Sequence, residues 1–399
     1  MNQMTQPLNK AFQPYRYADA AQYIELNPLS EPAYLFSDAA LTARVGEFQQ
    51  HFKGELSYAV KANPEPLLLD CLWNAGVNSF DVASVGEIAL ISNRFEGAQC
   101  HYNNPVRSDE MTNIAAHQYG VRSFAVDDEA GLSQLAALGL SNVEASIRFK
   151  LDHFDAAYDF GSKFGADVVQ ATQLLQRAER LGMRCSLTFH PGSQCTDPAM
   201  YEKHIEAAAK IKNDSGVVLC RLNVGGGFPL PYENTQIGVL TDYMSVIHTA
   251  VAVHFGDEAP ALLCEPGRAL VGSCTSLLTQ VIRVRENGAV FINDGIYGGL
   301  QEQMMVRLDL PYRVWREGKV VNMSAMGAHS LADATVFGPT CDPIDRLPNK
   351  LAFPVDIQAG DFIEFGLIGA YGSATATGFN SFASERYVEV QSGYFELAH

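Results

Sequence analysis

LSYAVKANPEPLLLDCLWNAGVNSFDVASVGEIALISNRFEGAQCHY, residues 56–102, is the stretch on which the reading of the fold turns. It contains three short strand-like runs, LSYAV (56–60), SFDVA (79–83) and AQCHY (98–102). Between them lie two stretches with apolar residues at i, i+3, i+4 and i+7, the spacing of one helix face. The alternation continues through RSFAV (122–126), VEASIRF (143–149), CSLTFH (185–190), VVLCRLNV (217–224) and PALLCE (260–265). The intervening helical stretches include EAGLSQLAALG, DVVQATQLLQRAERLG and AMYEKHIEAAAKIKN. Several close on Gly, and Asp167 and Pro198 stand where helix starts belong. Strand starts recur about every 29 residues, a normal βαβ length. Eight strands alternating with helices over about 230 residues predict an α/β fold, a (β/α)8 TIM barrel. An open doubly wound sheet is the alternative, and no GxGxxG follows the first strand to support it.

After about residue 270 the texture changes. SLLTQVIRVREN, AVFINDG, YRVWREGKVVNMS and DFIEFGLIGAY are separated by turn clusters with few helical patterns between them, which predicts a mostly antiparallel C-terminal β domain. PAYLF precedes the first convincing barrel helix, so the N-terminal segment is expected to lend that domain a strand. The predicted division is 37–270 for the barrel, with 1–36 and 271–399 forming the β domain.

Composition narrows the function classes. Of 399 residues, 47% are hydrophobic and 18% charged, so the chain can bury a large core and global disorder is excluded. Forty-five acidic against 28 basic residues leave a net charge of −17, which disfavours nucleic acid and anionic membranes. No apolar run opens the sequence and none is long enough to span a bilayer, so no signal peptide or membrane segment is expected. The eight cysteines show no CxxC or metal-ligand spacing and read as reduced thiols of a cytoplasmic protein.

Barrel enzymes carry their chemistry at the C-terminal ends of the strands. Those ends hold Lys61, Asp81, Asn103, Asp127, Arg148, His190, the glycines 225–227 and Glu265. Lys61 follows an apolar strand directly. It reads either as a snorkelling surface lysine or as an amine whose pKa burial lowers, freeing it for Schiff-base chemistry. GGGFP (225–229) closes the seventh strand, where barrels commonly bind phosphate, and a tight turn alone would need fewer glycines. His190 in HPGSQ suits stacking on a flat ring or base catalysis. No HExxH or second ligand at helical spacing points to a metal, and Ser193 adds a hydroxyl for a phosphate. Glu265 in CEPGR can hold a pyridine nitrogen protonated, leaving Arg268 free for a phosphate or a substrate carboxylate. Each signal has a bland counterpart; together they are the parts of a site for a phosphate-bearing electrophilic cofactor.

These residues sit in SYAVKANP, SFDVASVGEI, FGSKFGAD, FHPGSQCTDP, NVGGGFP, CEPGRALV, NDGIYG, FGPTCD and GAYGSATATGFN. In kind and order these motifs resemble the pyridoxal-phosphate decarboxylases of the alanine racemase-like fold (fold type III), in the ornithine and diaminopimelate decarboxylase group. FHPGSQCTDP and FGPTCD look closer to ornithine decarboxylase. The resemblance runs from about Tyr34 to Asn380. It implies that Lys61 forms the internal aldimine, Glu265 pairs with the pyridine nitrogen and His190 stacks on the ring, with Asp81 and Arg148 nearby. Ser193, Gly226, Gly227, Gly267, Arg268 and Tyr371 would hold the phosphate end. Cys341, on a loop donated across a twofold homodimer, would reprotonate the carbanion left by carbon dioxide loss. Asp342, with Tyr297, would grip the far amine of a diamino acid, as in polyamine biosynthesis. Without the resemblance, Cys341 would read as a small buried hydrophobe in a turn.

One segment departs from the family pattern. Where ornithine decarboxylases carry a Tyr-Asp pair after NDGxYG, this chain has GGLQEQMMVRLDLP, which places Met305 and Val306 at those positions and Arg307 next. A shifted register would bring Asp309 there instead. Halving the acidic grip is compatible with a longer, less basic or carboxylated substrate, such as a siderophore or carboxynorspermidine-type precursor. A racemase on this fold would need a second base, usually a tyrosine, opposite Lys61. A catalytically dead regulator would be expected to have lost some of Lys61, His190, Glu265 and Cys341, all of which are present.

Overall fold

The computed structural model describes residues 16–27, 31–151, 163–233, 235–306, 308–382 and 384–396. Strand β1 (Ala33–Phe36) precedes eight parallel strands: β2 (Glu55–Ala59), β3 (Ser79–Val82), β4 (Gln99–Tyr102), β5 (Ser123–Val126), β6 (Glu144–Arg148), β7 (Arg184–Thr188), β8 (Arg221–Asn223) and β9 (Ala261–Cys264). They close into a barrel, β9 returning to β2 with Glu55 opposite Leu263 and Leu56 opposite Cys264. The expected (β/α)8 architecture is therefore what forms. The strand expected over 217–224 shortens to Arg221–Asn223, because the apolar residues before it lead into the strand and leave Val218 exposed.

Alternation along the strands separates the barrel's two environments. Phe80, Val82, Phe124, Val126, Ile147 and Leu187 point outward and are buried beneath the helices in one continuous core. Their neighbours of opposite parity, Asp81, Ala125, Arg148 and Thr188, face the cavity at the barrel mouth. The helices start where side chains satisfy free backbone N–H groups. Ser84 caps Val85–Arg94, and Asp167 with Gln170 forms a reciprocal capping box on Val168–Arg180. The helix Ala199–Ser215 stops at Gly216, whose φ of 70° is the left-handed conformation that suits glycine.

The rest of the chain adds β10 (Thr275–Val284), β11 (Val290–Ile292), β12 (Tyr312–Arg316), β13 (Lys319–Val320), β14 (Leu331–Ala334), β15 (Val336–Phe337), β16 (Leu351–Pro354), β17 (Phe362–Phe365) and β18 (Tyr387–Glu389). The main sheet runs β13-β12-β17-β10-β1-β18. Most pairs are antiparallel, while β1–β18 and β11–β15 are parallel. β1 pairs with β10 from Ala33–Leu278 to Phe36–Thr275, so the N-terminal strand lies inside the C-terminal sheet. Glu364, 1% exposed, ties three strands together: its carboxylate accepts from Ser276 at 2.6 Å, Arg313 Nε at 2.7 Å and Trp315 Nε1 at 2.8 Å. Losing one partner of such a buried charge costs about 3–5 kcal/mol. An exposed pair such as Lys210–Asp214 contributes about 0.5 kcal/mol or less, so the interior network is the one that matters to stability.

Two devices position functional segments. The turn at 369–371 docks on the end of β2: Tyr371 N–H donates to the Ala62 carbonyl at 2.8 Å, and Asn63 Nδ2 donates to the Gly369 carbonyl at 2.8 Å. The loop 338–345 is held by Asp345, 1% exposed, which accepts from the Ile296 N–H at 3.1 Å and the Thr340 N–H at 3.0 Å. A Cβ on Gly338 would lie 2.2 Å from that carboxylate, so only glycine fits. All eight cysteines are free thiols, and no helix among the described residues is long and apolar enough to cross a membrane.

Candidate active site

The barrel mouth encloses a cavity of about 270 Å³. Lys61, Asp81, Arg148, His190, Ser193, Gly227, Glu265, Gly267, Arg268 and Tyr371, dispersed over more than three hundred residues, all line it, as does Asn103. Lys61 sits in the one-turn 3-10 helix Val60–Ala62 that caps β2, and its Nζ donates to Asp81 Oδ2 at 2.9 Å. Half its side chain opens on the cavity, while the Asp81 carboxylate is buried.

The sign of the Lys61 pKa shift differs from the sequence expectation. Burial does push it down, but the charges of Asp81, Tyr371 and Glu265, with the Asp81 hydrogen bond, outweigh burial and hold the ammonium above its usual value. The amine is thus stored protonated beside Asp81. Activation requires handing over that proton, and burial alone does not supply it.

Glu265 follows β9 and is 9% exposed; its Oε1 accepts from the amides of both Asn103 and Asn223. Oε2 has no hydrogen-bond partner among the described residues. Burial, reinforced by the Asp81 charge, pushes the carboxyl above its usual range, while Lys61, the Asn223 amide and Arg148 pull it back. A carboxyl fixed through one oxygen and raised in proton affinity is suited to sharing a proton with a ring nitrogen. Asn223 was not singled out in the sequence. Its signal was parity, two residues before Gly225 on the strand that opens the glycine loop.

The glycine loop is forced by close approach. A Cβ on Gly225 would come within 2.1 Å of the Phe189 carbonyl oxygen, on Gly226 within 2.6 Å of the Glu265 carbonyl oxygen, and on Gly227 within 2.4 Å of the Gly192 carbonyl oxygen. Gly225 and Gly227 also have φ of 71° and 91°. Gly226 lies in the wall behind the lining and stands 3.3 Å, through its notional Cβ, from His190 Nε2. His190 Nδ1 accepts from the Gly192 N–H at 3.0 Å, which fixes the ring against this loop. Gly267 packs its turn on that of Lys61, where a Cβ would sit 3.0 Å from that of Ala62.

Arg268 is not free, contrary to the sequence reading. Its Nη1 donates to Tyr232 Oη at 2.8 Å and to Glu302 Oε2 at 2.9 Å, and its Nη2 to Glu302 Oε1. Its buried Nε has no hydrogen-bond partner among the described residues. That orphaned donor, the backbone-only cradle at Gly227, the Ser193 hydroxyl, the lysine amine and the shared carboxyl match the phosphate, aldehyde and ring nitrogen of pyridoxal 5'-phosphate. The residues fit the cofactor.

Other expected residues lie apart from this cavity. Tyr297 Oη donates to Asp342 Oδ2 at 2.6 Å, and Cys341 Sγ donates to Asn380 Oδ1 at 3.4 Å, but none of Tyr297, Cys341 and Asp342 lines the chain's own cavity. Cys341 is exposed, so the buried-hydrophobe reading of it fails. The Tyr297 hydrogen bond, with the Ile344 N–H, holds the Asp342 carboxyl below its usual range. Asp127 accepts from the Gly165 N–H at 2.9 Å and does not line the cavity. Asp309 accepts from Asn349 Nδ2 at 2.8 Å in a separate groove. Met305 is exposed, Val306 is half-buried, and Arg307 lies outside the described residues.

A closed barrel with an antiparallel second domain and this cavity define a class, and the comparisons agree: the chain belongs to the pyridoxal-dependent decarboxylases. The model of that family's pyridoxal binding domain matches residues 38–272. The lysine/ornithine decarboxylase of Selenomonas ruminantium is 32% identical over 334 residues, covering 82% of this chain and 80% of that protein. The structure of lysine/ornithine decarboxylase from Vibrio vulnificus complexed with cadaverine superposes with a TM-score of 0.80 at 25% identity, covering 93% of this chain and 97% of that one. The complex of SrLDC with PLP and cadaverine gives a TM-score of 0.80 at 27% identity, covering 95% and 94%. The chain is accordingly a carboxy-lyase that works with pyridoxal 5'-phosphate.

One electrostatic consequence is testable. Burial lowers the His190 pKa well below 6.5, and the charges of Arg148 and Lys61 add to the effect. The unfolded chain therefore takes up a proton as pH falls through that value and the folded chain does not, so stability is lost toward acid. His190→Gln is expected to flatten the acid limb of the stability–pH profile between about pH 7 and pH 5, measured by chemical denaturation. His204, pushed down to about 4 by burial, would supply remaining slope. An NMR titration of His190 near 6.5 would contradict this account.

Proposed function

We propose that this chain decarboxylates an L-amino acid with a basic or extended side chain, of the lysine or ornithine kind, as a homodimer with active sites shared between subunits. The observation that carries the substrate reading is the Tyr297–Asp342 pair, a carboxylate held ionised by a donated hydrogen bond. A fixed negative charge of that kind suits a distal ammonium. The relatives that act on lysine and ornithine support it.

Bound pyridoxal phosphate supplies an electron sink that accepts the electrons released as the α-carboxylate departs. Lys61, whose Nζ lies 2.9 Å from Asp81, would hold the cofactor through its amine once that proton is given up. Asn103 and Asn223 fix Glu265, which would keep a proton on the ring nitrogen of the bound cofactor. His190, kept neutral by burial, would pack on the ring face without adding charge. Ser193, Gly227, Gly267, Arg268 and Tyr371 bind the phosphate end. Cys341 Sγ delivers the proton that replaces the lost carboxylate.

That Cys341 and Asp342 lie outside the cavity of their own chain supports a site completed across a twofold dimer. The product of a diamino acid would be a diamine, which places the reaction at a diamine-forming step.

Two experiments test this reading. A mass-spectrometric screen of the holoenzyme against ornithine, lysine, arginine, diaminopimelate, carboxynorspermidine and a citryl-diamino acid is expected to show carbon dioxide loss from ornithine or lysine. Turnover only of a carboxylated or conjugated substrate would remove the role given to Asp342 and favour the Met305–Arg307 segment as the specificity determinant. Mixing Lys61→Ala with Cys341→Ala protein under conditions that exchange subunits should restore about a quarter of wild-type activity, since half the dimers then carry one intact site. No recovery despite demonstrated exchange would mean that each site is built from one chain.

A further inference from the structure

The Arg268 guanidinium is engaged along one edge and bare at the other. Glu302 takes both Nη groups, Tyr232 Oη accepts from Nη1 at 2.8 Å, and the guanidinium carbon lies 4.9 Å from the centre of the Tyr371 ring. Arg268 is 6% exposed, and its Nε is buried with no hydrogen-bond partner among the described residues. The side chain lines the cavity beside Ser193, Gly227, Gly267 and Tyr371.

A guanidinium is planar, so a two-pronged carboxylate on its Nη edge fixes the direction in which Nε–H points. A charged donor left buried without an acceptor is costly, and the acceptor this one lacks inside the chain is an anionic oxygen. Glu302 is the first residue of the short helix Glu302–Met305, in the segment after NDGIYG that departs from the family pattern. Its carboxylate has two opposed effects on a bound phosphate: it orients the arginine, and it adds a negative charge behind it. Orientation is expected to dominate, because the guanidinium stands between the two anions. The pairing also stops Arg268 from swinging its Nη edge toward a substrate carboxylate.

We infer that Glu302 is a positioning residue which, with Tyr232, locks the Arg268 guanidinium so that Nε is presented to the cofactor phosphate. The inference rests on the assignment of Arg268 to the phosphate made above. It sets the segment after NDGIYG beside the motif itself: Tyr297 in the motif supports Asp342, the proposed substrate anchor, and Glu302 after it serves the far end of the cofactor.

The test compares pyridoxal phosphate with pyridoxal, which lacks the phosphate, in binding titrations of the full-length wild-type, Glu302→Gln, Glu302→Asp, Arg268→Lys and Glu302→Gln/Arg268→Lys proteins. Thermal midpoints without cofactor control for folding. Glu302→Gln is expected to weaken pyridoxal phosphate about tenfold while pyridoxal changes less than about twofold, and to add nothing on the Arg268→Lys background. Glu302→Asp, which keeps the charge but shortens the reach, should fall between and serves if the glutamine variant folds poorly. Equal losses for both ligands, no loss, or tighter phosphate binding would overturn the inference. If Arg268→Lys leaves the preference for pyridoxal phosphate over pyridoxal unchanged, the assignment of Arg268 itself fails, and Glu302 falls with it.

Discussion

Two buried carboxylates, Asp81 and Glu265, face one lysine ammonium across the mouth of a closed barrel, and the arrangement of the site follows from keeping those charges satisfied. Asp81 holds Lys61 at 2.9 Å, while two asparagine amides, Asn103 after β4 and Asn223 on β8, hold one oxygen of Glu265. Burial and the Asp81 charge raise the proton affinity of Glu265. The result is a lysine stored as its ammonium and a glutamate ready to share a proton, the two states needed before the cofactor arrives. Removing any one of these groups would leave a buried charge uncompensated, which is more costly than losing a surface pair.

The barrel itself was legible because its strands obey a period of two and its helices a period near 3.6. The strand-end rule then collected Lys61, Asp81, Arg148, His190, Gly227 and Glu265 on one rim. The triple glycine was legible for a reason the structure makes concrete, since a Cβ at any of its three positions would run into a carbonyl oxygen. What stayed hidden depends on side chains meeting across long sequence distances. The engagement of Arg268 by Glu302 joins the turn after β9 to a helix in the β domain, and nothing local in CEPGR announces it. The sign of the Lys61 shift was hidden for the same reason: desolvation can be read from an apolar strand, but the distance to Asp81 cannot. Asn223 lay within reach, marked by parity alone.

The β domain contributes more than support. Tyr371, in a left-handed backbone conformation, brings its ring to the Arg268 guanidinium from a turn that docks on the residue after Lys61. Asp345 pins the loop that carries Cys341 and Asp342 to the NDGIYG turn, so the proposed proton donor and carboxylate anchor are held beside Tyr297. The barrel therefore carries most of the cofactor chemistry and the β domain the groups proposed to meet the substrate.

The central claim is that Lys61, held by Asp81 beside Glu265, is the covalent seat of the cofactor. Borohydride reduction of the cofactor-loaded protein, followed by proteolysis and peptide mass mapping, tests it directly. The account predicts one pyridoxyl group on the peptide containing SYAVKANP, attached at Lys61, and its loss in Lys61→Ala. A pyridoxyl group on another lysine, or none in protein shown to bind the cofactor, would contradict it.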